Sequence, residues 1–370
     1  MPIQVAHIVP LAARIGGYER QAILLAVAQA QSGLAASIIT HAPHARQLHD
    51  RTPEIRIDGV NWNLGRASTR AIDRALVGIT VVHVHAIDPF AAAVVLRARR
   101  RGIPAVIKIA TQGDALRYAN PVAHPPEVVS RRLFEPWRLR RQQRLMRDAW
   151  SVLRASEQFV ALSSAIEHEL EEVGIAADRI VRIPNAVSVP EAPIEIRKEA
   201  RRAIYVGRLE ARKRVGDLLA ALDMVRKTRP NAELHVIGDG ASRRSLQSQP
   251  SRAIFHGAID DPHSMLRSAD LFLFPSEREG CPNALLEAAA AGLPCIATRI
   301  PGIFDWFDES MMVLVEPARP EAIAHAWLGL WDDGPRRRTL AVAARTRLRT
   351  SAEVSAINEE YEQIYSRLIE

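Results

Sequence analysis

Short apolar runs of strand length alternate with amphipathic helical stretches along this whole chain, and nothing else in it restricts the fold as much. In the first half, Val5–Val9, Ala36–Thr40, Val81–His85, Ala105–Ile109, Phe159–Leu162 and Ile180–Ile183 read as strands. Helices intervene, notably Tyr18–Ser32 and Pro89–Arg100. In the second half, Ala203–Gly207, Glu233–Ile237, Ala253–His256, Leu271–Phe274, Pro294–Ala297 and Val313–Val315 repeat the pattern. Parallel strands need a crossover connection, usually a helix, so such alternation predicts parallel sheets covered by helices. The expected class is α/β, with two doubly wound Rossmann-like domains facing an interdomain cleft. Ligands of open α/β sheets bind beyond the carboxyl ends of the strands, which aims the loops of both halves at that cleft. Ser188 to Lys198, rich in Pro, Glu and Ile without a period, is the expected linker.

At 370 residues the chain is long enough for two cores. Its 48% hydrophobic and 25% charged content is ordinary for a soluble α/β protein. Cys281 and Cys295 are too few for a disulfide framework and lack zinc-site spacing, which fits a reducing cytoplasm. Met1-Pro2-Ile3-Gln4-Val5 runs straight into the first strand with no leader pattern. No apolar run reaches the roughly 18 residues of a membrane span, so the expectation is a soluble or peripheral protein.

The net charge of +7 admits nucleic acid, an anionic membrane surface or an anionic small substrate. No helix-turn-helix, zinc-finger or RNA-recognition signature supports nucleic acid, which is not an expected partner. Arg131, Arg132, Arg138, Arg140, Arg141, Arg144 and Arg147 share one segment with Leu133, Phe134 and Trp137. Such a segment suits the inner face of the cytoplasmic membrane. It equally suits a solvated helix whose apolar residues face the core, and the sequence leaves both readings open.

The chemistry concentrates in Glu279-Gly280-Cys281-Pro282-Asn283-Ala284-Leu285-Leu286-Glu287. A buried strand precedes it, Gly280 and Pro282 force a turn, and Asn283 is the expected N-cap of a helix rich in Ala and Leu. Strand, turn and helix N-terminus make an anion site. A carboxylate at each end holds sugar hydroxyls, and the combination suits a nucleotide-sugar. Gly207 ends another strand before Arg208 and Lys213: glycine lets backbone approach closely, Arg donates paired bonds to phosphate, and Lys adds a point charge. The rival reading of Arg212, Lys213 and Arg214 is a surface cluster. Gly238 and Gly257 end further strands where the backbone shapes a nucleotide site. His83 and His85 alternate onto one face and are half a metal ligand set, with no third ligand identifiable, so no metal is expected.

These segments together resemble the retaining GT-B glycosyltransferases of family 4, most strongly between about Ala203 and Leu330. The resemblance implies that residues 1–187 bind the acceptor and 188–350 the nucleotide-sugar, while a helix in 351–370 packs back on the first domain. It implies that Arg208 and Lys213 clamp the diphosphate, Glu287 binds the ribose, and Glu279 with Gly280 and Cys281 holds the transferred sugar. It places Gly16 and Gly17 beside the donor phosphate and His85 facing the donor sugar. Pro184-Asn185-Ala186-Val187 matches an interdomain segment of the family. The donor-binding set is completed by Pro282, Asn283, Ala284 and Leu285.

What the resemblance implies is retaining transfer of a sugar from a UDP- or GDP-sugar co-substrate to a glycan or lipid-linked acceptor, without a cofactor, in cell-envelope polysaccharide synthesis. No Asp-x-Asp motif stands ready for a metal. Three departures concern the acceptor side and loop shape: Gln112 where the family often has His, Asp305 for Glu, and Met311-Met312 for a Gly-containing turn. A nucleotide-sugar 2-epimerase of the same fold is the rival enzyme, and a catalytically silent donor- or glycan-binding partner the rival of another class.

Overall fold

The computed structural model describes residues 2–10, 16–41, 45, 48, 52, 54–63, 66–67, 69–124 and 136–370. Two compact units divide the chain: Met1–Ala186 with Val354–Glu370, and Val187–Glu353.

The first unit holds β1 (Gln4–Val9), β2 (Ala35–His41), β3 (Arg56–Val60), the small hairpin β4 (Trp62–Asn63) and β5 (Arg66–Ala67), β6 (Val81–Val84), β7 (Ala105–Ile109), β8 (Gln158–Ala161) and β9 (Ile180–Arg182). Its main sheet runs β3-β2-β1-β6-β7-β8-β9, with each described pairing parallel. The inner strands β6 and β7 are buried at every residue; a strand covered on both faces must be apolar throughout, which makes it visible in sequence. The sequence reading has no counterpart to β3. Its residues, Arg-Ile-Asp-Gly-Val, form a half-exposed edge strand with charge and glycine where a buried strand carries Val and Ile.

The second unit holds β10 (Arg202–Val206), β11 (Glu233–Ile237), β12 (Ile254–Gly257), β13 (Leu271–Phe274), β14 (Cys295–Thr298) and β15 (Val313–Val315). They form a parallel sheet in the order β12-β11-β10-β13-β14-β15. In both sheets the chain starts near the middle, builds outward to one edge, and returns to the other side of its first strand. Strand order therefore reverses between β1 and β6, and again between β10 and β13. Loops leaving the carboxyl ends of such a pair splay apart and open a crevice.

The last helix, Val354–Ile369, belongs to the first unit. Ile357, Tyr361, Ile364 and Tyr365 fall on one helical stripe and pack with Val5, Val81, Val106 and Val160. The segment expected to be a linker is instead part of the second unit. Arginines of the helix Gly334–Ser351 bind its carbonyls: Arg337 donates to Arg197 and Lys198, Arg338 to Ile194, and Arg345 to Ala192. Arg337 is fully buried. Some of the arginine excess is therefore structural, capping carbonyls that no sheet or helix satisfies.

Candidate active site

The crevice of the second sheet gathers most of the residues selected from sequence. Three strand-end glycines interlock there through backbone alone. Gly207 N donates to Ile237 O at 3.0 Å, Gly238 N to Gly257 O at 2.7 Å, and Leu209 N to Asp239 O at 2.9 Å. A Cβ on Gly238 would lie 1.8 Å from Gly207 O, and its φ is +146°, so only glycine fits. Tyr205 Oη supports the same loop by donating to Arg208 O at 3.1 Å.

Two charged side chains tie the loops after β10 and β13 together. Lys213, at the end of the short 3-10 turn Ala211–Lys213, donates its ammonium to Glu279 Oε1. Ser276 Oγ donates to the same oxygen at 2.5 Å. Arg212 Nη1 lies 3.7 Å from the other carboxylate oxygen and donates to Arg278 O at 3.2 Å. Glu279 and Lys213 are buried, and the Lys213 ammonium sits 5.4 Å from the centroid of the Phe274 ring. Burial lowers the Lys213 pKa from its ordinary value; Glu279 opposes that shift and Arg212 adds to it. The result is a compact buried cluster of two cations and one carboxylate.

Arg208 stands apart from this cluster. Its side chain is 67% exposed and pairs with Glu210 at 3.0 Å, a contact worth little in water. Its head is therefore able to leave for a stronger anion. Arg212 and Ser276 were not selected from sequence. A triplet of basic residues does not reveal which member turns inward, and serine carries no positional signal.

The helix after Glu279 runs Asn283–Ala290, with Pro282 at the cap position and no side-chain capping bond. Asn283 is thus the first helical residue and not the N-cap, because Pro282 already has the extended backbone that a cap requires. Gly280, Cys281 and Leu285 are buried, while Ala284 and Glu287 are half-buried on the helix's first turns. The positive end of the helix dipole lies beside the cluster. Gly302, in the helical turn Pro301–Phe304 after β14, packs on this loop: a Cβ there would meet Glu279 O at 2.4 Å and Gly280 O at 2.5 Å.

In the first unit, Gly16 precedes the helix Gly17–Gln31, and its N–H donates to Glu19 Oε2 at 2.9 Å. His85 follows β6 directly. The third histidine that the sequence reading did not identify is His7, which stands on β1 in register with His83. His7, His83 and His85 are all completely buried, and a ring nitrogen from each lies within 4.8 Å of the others. His7 was missed because it stands in a different strand, 76 residues away, where only strand pairing places it. Burial lowers all three pKa values, His7 to about 4. Asp88, three residues beyond His85, accepts from Ala91 N at 2.7 Å as cap of the helix Pro89–Arg99. Burial raises its pKa to about 7.

Two family models together match most of the chain: Glycosyltransferase Family 4 over residues 15–190 and Glycosyl transferases group 1 over residues 200–333. The chain belongs to this glycosyltransferase family. Among relatives of this family 4 member, it is 29% identical to a glycogen synthase of Mycobacterium tuberculosis over 59% of this chain and 56% of that protein. It is 33% identical to the lipopolysaccharide 1,6-galactosyltransferase of Escherichia coli over 37% of this chain and 42% of that protein. The matched stretches thus span about half the length of these relatives. Two solved structures share the fold of the family 4 chain across nearly its whole length. HepE of Anabaena, in complex with UDP and glucose, has a TM-score of 0.75 at 17% identity, covering 98% of this chain and 99% of that one. Sucrose-phosphate synthase of Thermosynechococcus elongatus has 0.74 at 20%, covering 99% of each. The fold is the GT-B arrangement of two Rossmann-like domains.

Proposed function

We propose that this chain transfers a sugar from a nucleotide-diphosphate sugar, UDP- or GDP-linked, to a glycan or lipid-linked acceptor in cell-envelope polysaccharide synthesis. The observation that carries the reading is the Lys213–Glu279 pair, with Arg212 and the helix N-terminus of Asn283–Ala290, at the strand-order reversal of the second sheet. A diphosphate leaving group gains one negative charge as its bond to the sugar breaks. Fixed cations and a helix N-terminus in a water-poor crevice stabilise that charge without reorganising. Arg208 swings from Glu210 to the phosphates, and Glu279 exchanges part of its ion pairing for sugar hydroxyls. Glu287 holds the ribose. With the leaving oxygen itself taking the acceptor proton on the same face, the sugar keeps its anomeric configuration. Relatives named for glycogen and lipopolysaccharide synthesis, and a structural neighbour solved with UDP and glucose, agree with this chemistry.

Side chains and a helix end supply the positive field, so the reaction is metal-independent. Transfer from a panel of UDP- and GDP-sugars is expected to proceed at an unchanged rate in EDTA. A tenfold loss on chelation, restored by Mn²⁺ or Mg²⁺, overturns that part of the proposal.

The acceptor is membrane-borne, and the Arg-rich helix Pro136–Leu153 brings the enzyme to it. Arg140, Arg141, Arg144 and Arg147 are exposed, while Met146, Ala149, Trp150 and Leu153 are buried. Arg131, Arg132, Leu133 and Phe134 lie outside the described residues. The exposed face is therefore electrostatic, contributing about 1 kcal/mol per Arg near an anionic surface. Among the described residues no helix is long and apolar enough to cross a membrane. Co-sedimentation is expected with anionic vesicles only, weakening in high salt and when these four Arg become Glu. Equal recovery in the supernatant with and without anionic vesicles removes the membrane and favours a soluble acceptor.

A further inference from the structure

Away from the crevice, the second unit carries a histidine pair that sugar transfer does not use. His235 stands on β11 and His256 on β12, the outermost strand of that sheet. Val236 pairs with Phe255 and Ile237 with Gly257, so His256 is an extra residue in β12. A bulge of this kind re-aims a side chain, and here His256 Nε2 comes to 2.9 Å from His235 Nδ1. The ring planes are 9° apart and the centroids 5.1 Å, so the rings meet edge to edge. We infer that His235 and His256 form a binding site for a divalent transition-metal ion, best suited to Cu²⁺, with Glu233 orienting His235 as a ligand.

Glu233 Oε2 lies 3.4 Å from His235 Nε2. Burial opposes ionisation of Glu233, but hydrogen bonds from His235 and Arg201 outweigh it and lower the Glu233 pKa. A carboxylate only accepts, so Nε2 carries the hydrogen of neutral His235, and Nδ1 keeps its lone pair. A carboxylate behind the far nitrogen orients most metal-bound histidines and makes them better ligands. Burial and then His235 lower the His256 pKa, which keeps that ring neutral near pH 7. Its single proton bridges the two nitrogens. Because His256 is exposed, the proton can pass through water to Nδ1, freeing Nε2 for the ion with none lost.

The spacing selects the ion. Metal–nitrogen bonds of about 2.0–2.1 Å, made to nitrogens 2.9 Å apart, enclose an angle of about 90°. That is the angle between neighbouring ligands of tetragonal Cu²⁺, and it is narrower than the tetrahedral angle of Zn²⁺. His235 is the fixed member, with 12% of its side chain exposed. His256, exposed on the edge strand, turns to admit the ion, and water fills the other positions. Arg201 and Arg202 also pair with Glu233, so the carboxylate orients His235 without joining the ion. β11 separates β12 from the crevice between β10 and β13. The ion therefore takes no part in transfer, and the site stands whether or not the chain transfers sugar.

Calorimetric titration of the whole chain with Cu²⁺ at pH 7, joined to electron paramagnetic resonance, tests the site. The wild type is expected to bind one ion with a spectrum showing two coupled nitrogens. His256→Thr exchanges an exposed residue for a good strand former, so it is expected to fold and to lose that spectrum. Glu233→Ala is expected to weaken binding by about tenfold to a hundredfold, the scale for outer partners of a metal-bound histidine. Saturating Cu²⁺ should raise the melting temperature of the wild type but not of His256→Thr. His7→Leu, which removes one of the three buried imidazoles of the first unit, should leave the spectrum intact. The same spectrum and affinity in wild type and His256→Thr overturn the site. So does the absence of saturable binding, or a spectrum lost in folded His7→Leu instead. Unchanged affinity in Glu233→Ala overturns the orienting role of the carboxylate.

Discussion

Replacing Lys213 by Met lowers donor-saturated turnover by roughly 10²–10³, the scale for losing one preorganised charge at a developing anion. The same change also destabilises the second unit. Lys213 is buried against Glu279, and removing one member of a buried pair leaves an uncompensated charge, costing about 3–5 kcal/mol. Ser276 and Arg212 offset part of this. Arg208→Ala separates the two effects. Its side chain is 67% exposed, so the melting temperature stays put while turnover falls on the same scale. Adding Glu279→Gln to Lys213→Met recovers stability but not activity. Unchanged turnover with saturating donor in both Lys213→Met and Arg208→Ala contradicts the diphosphate clamp. Because burial lowers the Lys213 pKa, the active ammonium is lost below the usual lysine range. The alkaline limb of the kcat profile therefore lies below the ordinary lysine pKa and disappears in Lys213→Met.

Acid produces the second large effect. The folded pKa of His7 lies near 4, and those of His83 and His85 well below their ordinary value. The unfolded histidines titrate near 6.5. Between those limits the unfolded chain binds protons that the folded chain refuses. Stability is therefore full above about pH 6.5 and is lost as pH falls. Each histidine contributes a slope of up to about 1.4 kcal/mol per pH unit. Three together remove several kcal/mol within two units, and Asp88, whose folded pKa is raised to about 7, offsets about one histidine's share by taking up its proton in the fold first. Urea unfolding at a series of pH values is expected to show a midpoint falling steeply below pH 6. In His7→Leu about a third of the histidines' slope is removed, which separates the imidazoles from the carboxylates that also titrate in acid. A flat profile from pH 7 to 5 would mean that these rings are not held neutral in the fold.

How much of this was legible before the structure depended on whether a residue's role is local. Strands buried on both faces, such as Val81–Val84 and Leu271–Phe274, announce themselves as apolar runs. The edge strand Arg56–Val60 does not, because half of it faces water. Glu279 and Lys213 were legible from their loops, but their contact across 66 residues was not. The inward turn of Arg212 and the outward turn of Arg208 depend on packing against Arg278 O and Glu210, which no spacing encodes. His7 shows the same limit: strand pairing alone brings it to His83. The Ser188–Lys198 stretch lacked helix or strand pattern and read as a linker. Its carbonyls are satisfied by arginines about 140–150 residues later, a partnership visible only in three dimensions.

In the proposed reaction the crevice between β10 and β13 binds a nucleotide-diphosphate sugar. Thermal unfolding of the wild-type chain with a panel of UDP- and GDP-sugars tests it most directly, because a ligand that binds only the folded state stabilises by mass action, about 2.7 kcal/mol at a hundred times its Kd. At least one nucleotide-sugar should raise the melting temperature, and that rise should shrink or vanish in Arg208→Ala and in Glu287→Ala while both variants alone melt like the wild type. No shift with any member of the panel, or a shift equally large in both variants, would contradict it.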